Sequence, residues 1–246
     1  MSSSPPLSIL SVESLSKSYG GKKVVNDLSF TVPQGAVVGL LGPNGAGKTT
    51  AFYLTMGLIV PDAGKVIFEG KEITRAPLHQ RARMGMGYLP QEPSVFRQLT
   101  VEENILSILE TLPLKRKERF ERLHELLEEL NLTSLAKQKA TMLSGGERRR
   151  LEITRALVTN PRLLLLDEPF ANIDPLTIHD VKEMIRHLTA KGITVLITDH
   201  NARELGSIVE KAYLIQSGRV THSGTIQELL ENEEARSTYF GHHFVL

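Results

Sequence analysis

Apolar and polar residues alternate in two early stretches, 7–15 and 24–32, with Tyr19-Gly20-Gly21 between them. A period of two over that length predicts two strands joined by a turn. The next stretch, Ala36-Val37-Val38-Gly39-Leu40-Leu41, is apolar throughout. That pattern fits a strand covered on both faces. Similar runs recur at 86–90, 163–166 and 193–198, and 64–69 reads as another strand, closed by Glu69-Gly70-Lys71. Helices are predicted over 49–58, stopped by Gly57 and Pro61, and over 175–191, stopped at Gly192. Between about 100 and 159 the rhythm changes: Leu123, Leu126, Leu127 and Leu130 recur at helical spacing among many charges.

Strands alternating with helices on both sides of a helical block predict a parallel α/β core with an α-subdomain inserted between its halves. Composition narrows the partners. The 246 residues are 41% hydrophobic and 23% charged, ordinary for a soluble globular protein. A net charge of +1 argues against direct nucleic-acid binding, which calls for a basic surface. Cysteine is absent, so neither disulfides nor thiol chemistry enter, which suits a cytosolic protein. No apolar run approaches the roughly 20 residues of a membrane-spanning helix. Residues 1–6 lack the basic start and apolar segment of a secretory leader and read as a short tail. Any membrane role is therefore expected to run through partners.

The apolar run 36–41 leads directly into Gly42-Pro43-Asn44-Gly45-Ala46-Gly47-Lys48-Thr49, then Thr50. This is the phosphate-binding pattern G-x-x-x-x-G-K-[ST] in its required setting of strand, loop and helix. Glycines let backbone N–H groups converge on an anion, and the helix start adds positive potential. Lys48 supplies a point charge to the β- and γ-phosphates, and the Thr49 hydroxyl is a ligand for Mg²⁺. The plainer alternative is a glycine-rich turn that binds nothing.

Four leucines, 163–166, emerge into Asp167-Glu168. Two carboxylates at the end of a buried strand suggest a cation or a reaction there. Asp167 would hold Mg²⁺ and Glu168 would act as general base, an effect of about 10²–10⁴-fold in rate. The plainer alternative is a solvated acidic turn. His200 follows another apolar strand, at the carboxyl end where open α/β sheets bind ligands, and is read as a γ-phosphate contact. Gln91 follows a short strand and a proline; its amide oxygen suits Mg²⁺ and its loop suits a sensor, the alternative being an ordinary loop residue. Ser144-Gly145-Gly146, before Glu147, reads as an anion site at a helix start or as a simple N-cap. A second anion site serves the same nucleotide only if another molecule supplies it. Arg148-Arg149-Arg150 reads as a solvated helix face. The Tyr19 ring could stack on adenine, worth about 1–3 kcal/mol, or be an exposed loop residue. His242 and His243 read as surface residues rather than metal ligands.

Tyr19, 42–49, Gln91, 143–147, 163–168, Asp174 and His200 occur in the order of the ATP-binding cassette (ABC) ATPase family, which the chain resembles over nearly its whole length. The resemblance implies a P-loop NTPase (RecA-like) core with an antiparallel β-subdomain and an inserted α-helical subdomain. Its parts would be an ATP-binding core at 1–91 and 159–230, a helical signature subdomain at 92–158 and a C-terminal tail at 231–246. It implies a homodimer closing head to tail on two ATP molecules with Mg²⁺. Ser144, Gly145, Gly146 and Glu147 would act on the partner's nucleotide, and Asp174 would couple the sites. It also implies two transmembrane subunits holding the chain at the cytoplasmic face of an inner membrane.

Within the family, Tyr88-Leu89-Pro90-Gln91-Glu92, Ser94-Val95-Phe96-Arg97, 167–171 and the ending Tyr239-Phe240-Gly241 with Phe244-Val245-Leu246 look like the branch that powers lipopolysaccharide export. Phe96 falls where such ATPases receive their partners' coupling helices, or else belongs to the core. The alternatives are the ATPase of a branched-chain amino-acid importer and a soluble ABC protein unconnected with transport. Two positions depart from the family: Glu147 replaces a usual glutamine, and 171–174 lacks a common serine. Glu147 accepts hydrogen bonds but cannot donate them, so nucleotide binding is expected to survive, while the missing serine bears on the coupling between sites.

Overall fold

The computed structural model describes residues 7–171 and 173–240, and the structural statements here concern those residues. Asn172, the N-terminal stretch 1–6 and the ending 241–246, with its two histidines, lie outside them.

The two alternating stretches form β1 (Ser8–Tyr19) and β2 (Lys22–Pro33), an antiparallel pair longer than the pattern predicts. Tyr19 is thus the last residue of β1 rather than part of the turn. The apolar run forms β3 (Val37–Leu41), buried at every position. β4 (Ala63–Phe68) and β5 (Lys71–Glu72) join the first two in an antiparallel sheet of order β2-β1-β4-β5.

The second sheet has the order β10-β9-β3-β8-β7-β6. Its members are β3, β6 (Met86–Leu89), β7 (Leu163–Asp167), β8 (Thr194–Thr198), β9 (Lys211–Gln216) and β10 (Arg219–Gly224). All pair in parallel except β10, which closes the edge as a hairpin with β9. Both faces are covered, so the strand residues sort by parity. Val37, Leu41, Leu164, Leu166, Val195 and Ile197 face a core shared with the helices. Val38, Leu40, Leu163, Leu165 and Leu196 face a core shared with the antiparallel sheet.

The helices are α1 (Lys48–Met56), α2 (Leu78–Arg83), α3 (Val101–Leu109), α4 (Arg116–Glu129), α5 (Gly145–Leu157), α6 (Pro175–Ala190), α7 (Ala202–Gly206) and α8 (Ile226–Glu231). The helical block is α3 to α5, inserted between β6 and β7. Leu123, Leu126, Leu127 and Leu130 are buried together, as their spacing requires. A π-helical turn, Arg236–Phe240, ends the described chain.

The arginine run on α5 is not a solvated face. Arg149 is buried and pairs with Glu152 at 2.8 Å, Arg150 meets Asp180 at 3.3 Å, and Arg148 donates to the Leu143 carbonyl. A helix turns about 100° per residue, so three consecutive side chains sweep about 200° and cannot share one side.

Candidate functional site

Parallel strands finish at a common edge. The carboxyl ends of β3, β6, β7 and β8 therefore bring Gly42, Gln91, Asp167-Glu168 and Asp199-His200 to one side of the sheet, where such folds bind ligands.

The loop 42–47 bends tightly between β3 and α1. Gly42 and Gly47 have φ of 154° and 101°, and a Cβ at either would lie 2.3 Å from the Ile215 carbonyl or 2.6 Å from that of Val24. No larger residue fits this path. Pro43, Asn44 and Gly45 stay exposed, Ala46 is buried, and Thr49 and Thr50 are half-buried on the first turn of α1. The Lys48 ammonium turns back into the loop and donates to the carbonyls of Gly42 at 2.7 Å and Pro43 at 3.1 Å. Burial lowers its pKa, while the charges of Glu168, Asp199 and Asp167 oppose that shift.

Asp167 is buried. Its Oδ1 accepts a 2.6 Å bond from the Thr198 hydroxyl on the neighbouring strand, and its Oδ2 has no partner. Burial raises its pKa. Glu168 sits at φ 44°, a left-handed conformation costly for a side-chain-bearing residue and concentrated at functional sites. Its N–H donates to the Thr198 carbonyl at 2.9 Å. Its Oε2 accepts from Gln91 Nε2 at 3.0 Å and lies 3.5 Å from His200 Nδ1. Asn44, Gln91, Glu168, Phe170, Ala171, Asp199, His200 and Asn201 line a cavity of about 400 Å³.

Asp199 is the residue that sequence reasoning passed over. It is buried and accepts from the N–H groups of Asn201 at 2.8 Å and Phe170 at 3.3 Å. Burial raises its pKa, partly offset by those bonds and by His200. The strand-end rule that selected His200 selects Asp199 equally.

The other candidates stand apart from this edge. Ser144 caps α5 in a capping box: its hydroxyl accepts from the Glu147 N–H at 3.2 Å, and the Glu147 carboxylate accepts from the Ser144 N–H at 2.8 Å. Gly145 is open, and Gly146 faces Thr177 of α6. Among the described residues no hydrogen bond or ion pair joins 144–147 to the loop 42–49. Asp174 caps α6, accepting from the N–H groups of Leu176 and Thr177 and from the Thr177 hydroxyl, which together hold its pKa low. Tyr19 is half exposed, with the Lys17 ammonium 5.8 Å from its ring centre.

Among the described residues no three His, Cys, Asp or Glu side chains form a metal-holding cluster. A hard cation at this edge would need oxygens from a bound phosphate to complete its shell. The unpartnered Asp167 Oδ2 fits that use, and the Thr49 hydroxyl and the Gln91 amide are of the right donor type.

A profile of the family described as ABC transporter matches residues 25–171. The chain is 53% identical to the lipopolysaccharide export system ATP-binding protein LptB of Acidithiobacillus ferridurans, over 96% of this chain and 98% of that one. It is 48% identical to the protein of the same name from Haemophilus influenzae, covering 98% and 100%. Of solved structures, it is similar to the ADP conformation of MJ1267, an ATP-binding cassette of an ABC transporter: TM-score 0.86, 32% identity, 96% and 99% coverage. A nucleotide-free ATP-binding cassette from an ABC transporter also gives a TM-score of 0.86, at 31% identity over 96% and 100% of the two chains.

Proposed function

We propose, since this chain belongs to the ABC transporter family, that it is the ATP-hydrolysing subunit of a lipopolysaccharide exporter. It is an ATPase of the ABC type, and no helix among the described residues is long and apolar enough to cross a membrane. The observation that carries the chemistry is the convergence of Lys48, Gln91, Asp167, Glu168 and His200 on one sheet edge. The export reading is supported by similarity to export-system proteins over nearly the full length.

Backbone N–H groups from 42–49 cradle the phosphates, with Thr50 beside them, and Tyr19 stacks on the adenine. The Lys48 ammonium exchanges the Gly42 and Pro43 carbonyls for β- and γ-phosphate oxygens. Asp167, Thr49 and Gln91 would hold Mg²⁺, which when bound offsets phosphate charge. Glu168 takes a proton from the water that attacks the γ-phosphorus. The bond to the β–γ bridging oxygen breaks, leaving ADP and phosphate. His200 contacts the γ-phosphate and steadies the water. A second copy, head to tail, lays its Ser144, Gly145, Gly146 and Glu147 over the γ-phosphate, and Asp174 couples the two sites. Two transmembrane subunits hold the dimer at the cytoplasmic face of the inner membrane.

A pull-down from solubilised membranes tests the assignment. Two export-type membrane subunits support it; a solute-binding-protein import system or ribosomes would overturn it. Phe96 gives a sharper test. The residue is 52% exposed, with the Arg155 guanidinium 4.8 Å from the centre of its ring. Its backbone is tied at both ends to buried Asn104, at 2.8 and 3.0 Å. An exposed aromatic held this rigidly is preorganised for a partner. Phe96→Ala is expected to weaken recovery of the membrane subunits about 30-fold, as loss of an interface hot spot does, with basal ATPase within about two-fold. Equal loss of both would point to packing within the chain instead.

A further inference from the structure

His200 occupies a bend between β8 and α7 and is 51% exposed at its side chain. Its imidazole nitrogen lies 3.5 Å from Glu168 and 3.7 Å from Asp199, both longer than a good hydrogen bond. Side-chain contacts alone therefore do not fix the ring, and the placement of its main chain matters more.

That main chain is held from the far end of the sequence. A second cavity, about 300 Å³, is lined by His200, Asn201, Ala202, Tyr239 and Phe240. The Tyr239 hydroxyl donates to the His200 carbonyl at 3.2 Å. Its ring is set edge-on against that of the neighbouring Phe240, with centres 5.0 Å apart. Burial pushes the phenol up to about 12, opposed by the N–H of Gly42 at the start of the phosphate loop. The hydroxyl thus keeps its proton at neutral pH. That single proton goes to His200.

We propose that Tyr239 is a positioning residue for hydrolysis: through the His200 carbonyl it sets where the imidazole meets the γ-phosphate. This rests on the reading of His200 as the γ-phosphate contact. Tyr239 acts through His200 rather than on the reacting atoms. It orders the turn that carries His200, and it links that turn to the π-helical turn Arg236–Phe240.

Tyr239→Phe keeps the ring and its contact with Phe240 and removes only the hydroxyl. In the full chain its kcat is expected to fall about five- to ten-fold, the loss of one hydrogen bond, with KM for ATP within about two-fold. The melting temperature should stay near the parental value. In a His200→Ala background the same substitution should cost nothing further, because the group it positions is gone. A normal kcat in Tyr239→Phe, a raised KM at unchanged kcat, or an undiminished loss in the His200→Ala background would each overturn the proposal. The raised KM would place the hydroxyl in the service of Gly42 and nucleotide binding. Full turnover by His200→Ala alone would instead remove the premise. Normal turnover in Tyr239→Phe beside a slow His200→Ala would remove only the role of Tyr239.

Discussion

Replacing Glu168 by Gln is expected to leave ATP binding near the parental level while slowing hydrolysis by about 10²–10⁴-fold. The substitution is nearly isosteric. Its carbonyl oxygen still accepts from Gln91 Nε2, which now meets Glu168 at 3.0 Å. The left-handed backbone at this position, φ 44°, carries a side chain of the same branching, so its strain is unchanged. What disappears is the ability to take a proton from water. Lys48 and the loop N–H groups are untouched, so the triphosphate should bind and stay. The expected species is an ATP-bound dimer that fails to reopen. Size-exclusion chromatography with ATP, beside steady-state phosphate release, reads both effects. Near-normal turnover would take the base role from Glu168. Asp199, whose pKa burial raises, would then be the next carboxyl at the same edge.

The elements legible in the sequence are those whose burial is complete. β3, β7 and β8 are covered on both faces, buried at every position, and leave short apolar runs. Leu123 to Leu130 face one core and leave a helical period. By contrast, β10 exposes alternate residues and carries one apolar side chain, Val220, so it has almost no compositional trace. The strand–loop–helix setting of 42–49 and the strand end at Asp167-Glu168 were legible because each lies within a few consecutive residues. Contacts across the fold were not. The Gln91–Glu168 bond spans 77 positions, and the Tyr239–His200 bond 39. The burial of Arg149 depends on what packs over α5, which a run of three arginines does not announce. Phe96, open to a core or a surface reading from sequence, lies at the surface.

Chains carrying Lys48→Ala are expected to be inactive alone, as are chains carrying Ser144→Arg, yet a mixture of the two should hydrolyse ATP. Lys48→Ala deletes the ammonium that bonds to the Gly42 and Pro43 carbonyls, and with it the charge for the phosphates. Ser144→Arg places a long cation at the open start of α5. It also removes the hydroxyl that accepts from the Glu147 N–H, a cap worth about 1 kcal/mol, which a domain of this size tolerates. If each nucleotide lies between the loop of one copy and the α5 start of the other, a mixed dimer gathers both lesions into one site and leaves the second intact. Random pairing at equal amounts makes about half the dimers mixed, so about a quarter of the parental sites should return in a two-fold dimer. Phosphate release across a series of mixing ratios reads this directly, with the maximum expected near equal amounts. The alternative has a different signature. Were the loop and the α5 start to serve one nucleotide within a single copy, every chain in every mixture would carry a damaged site, and no ratio would restore activity.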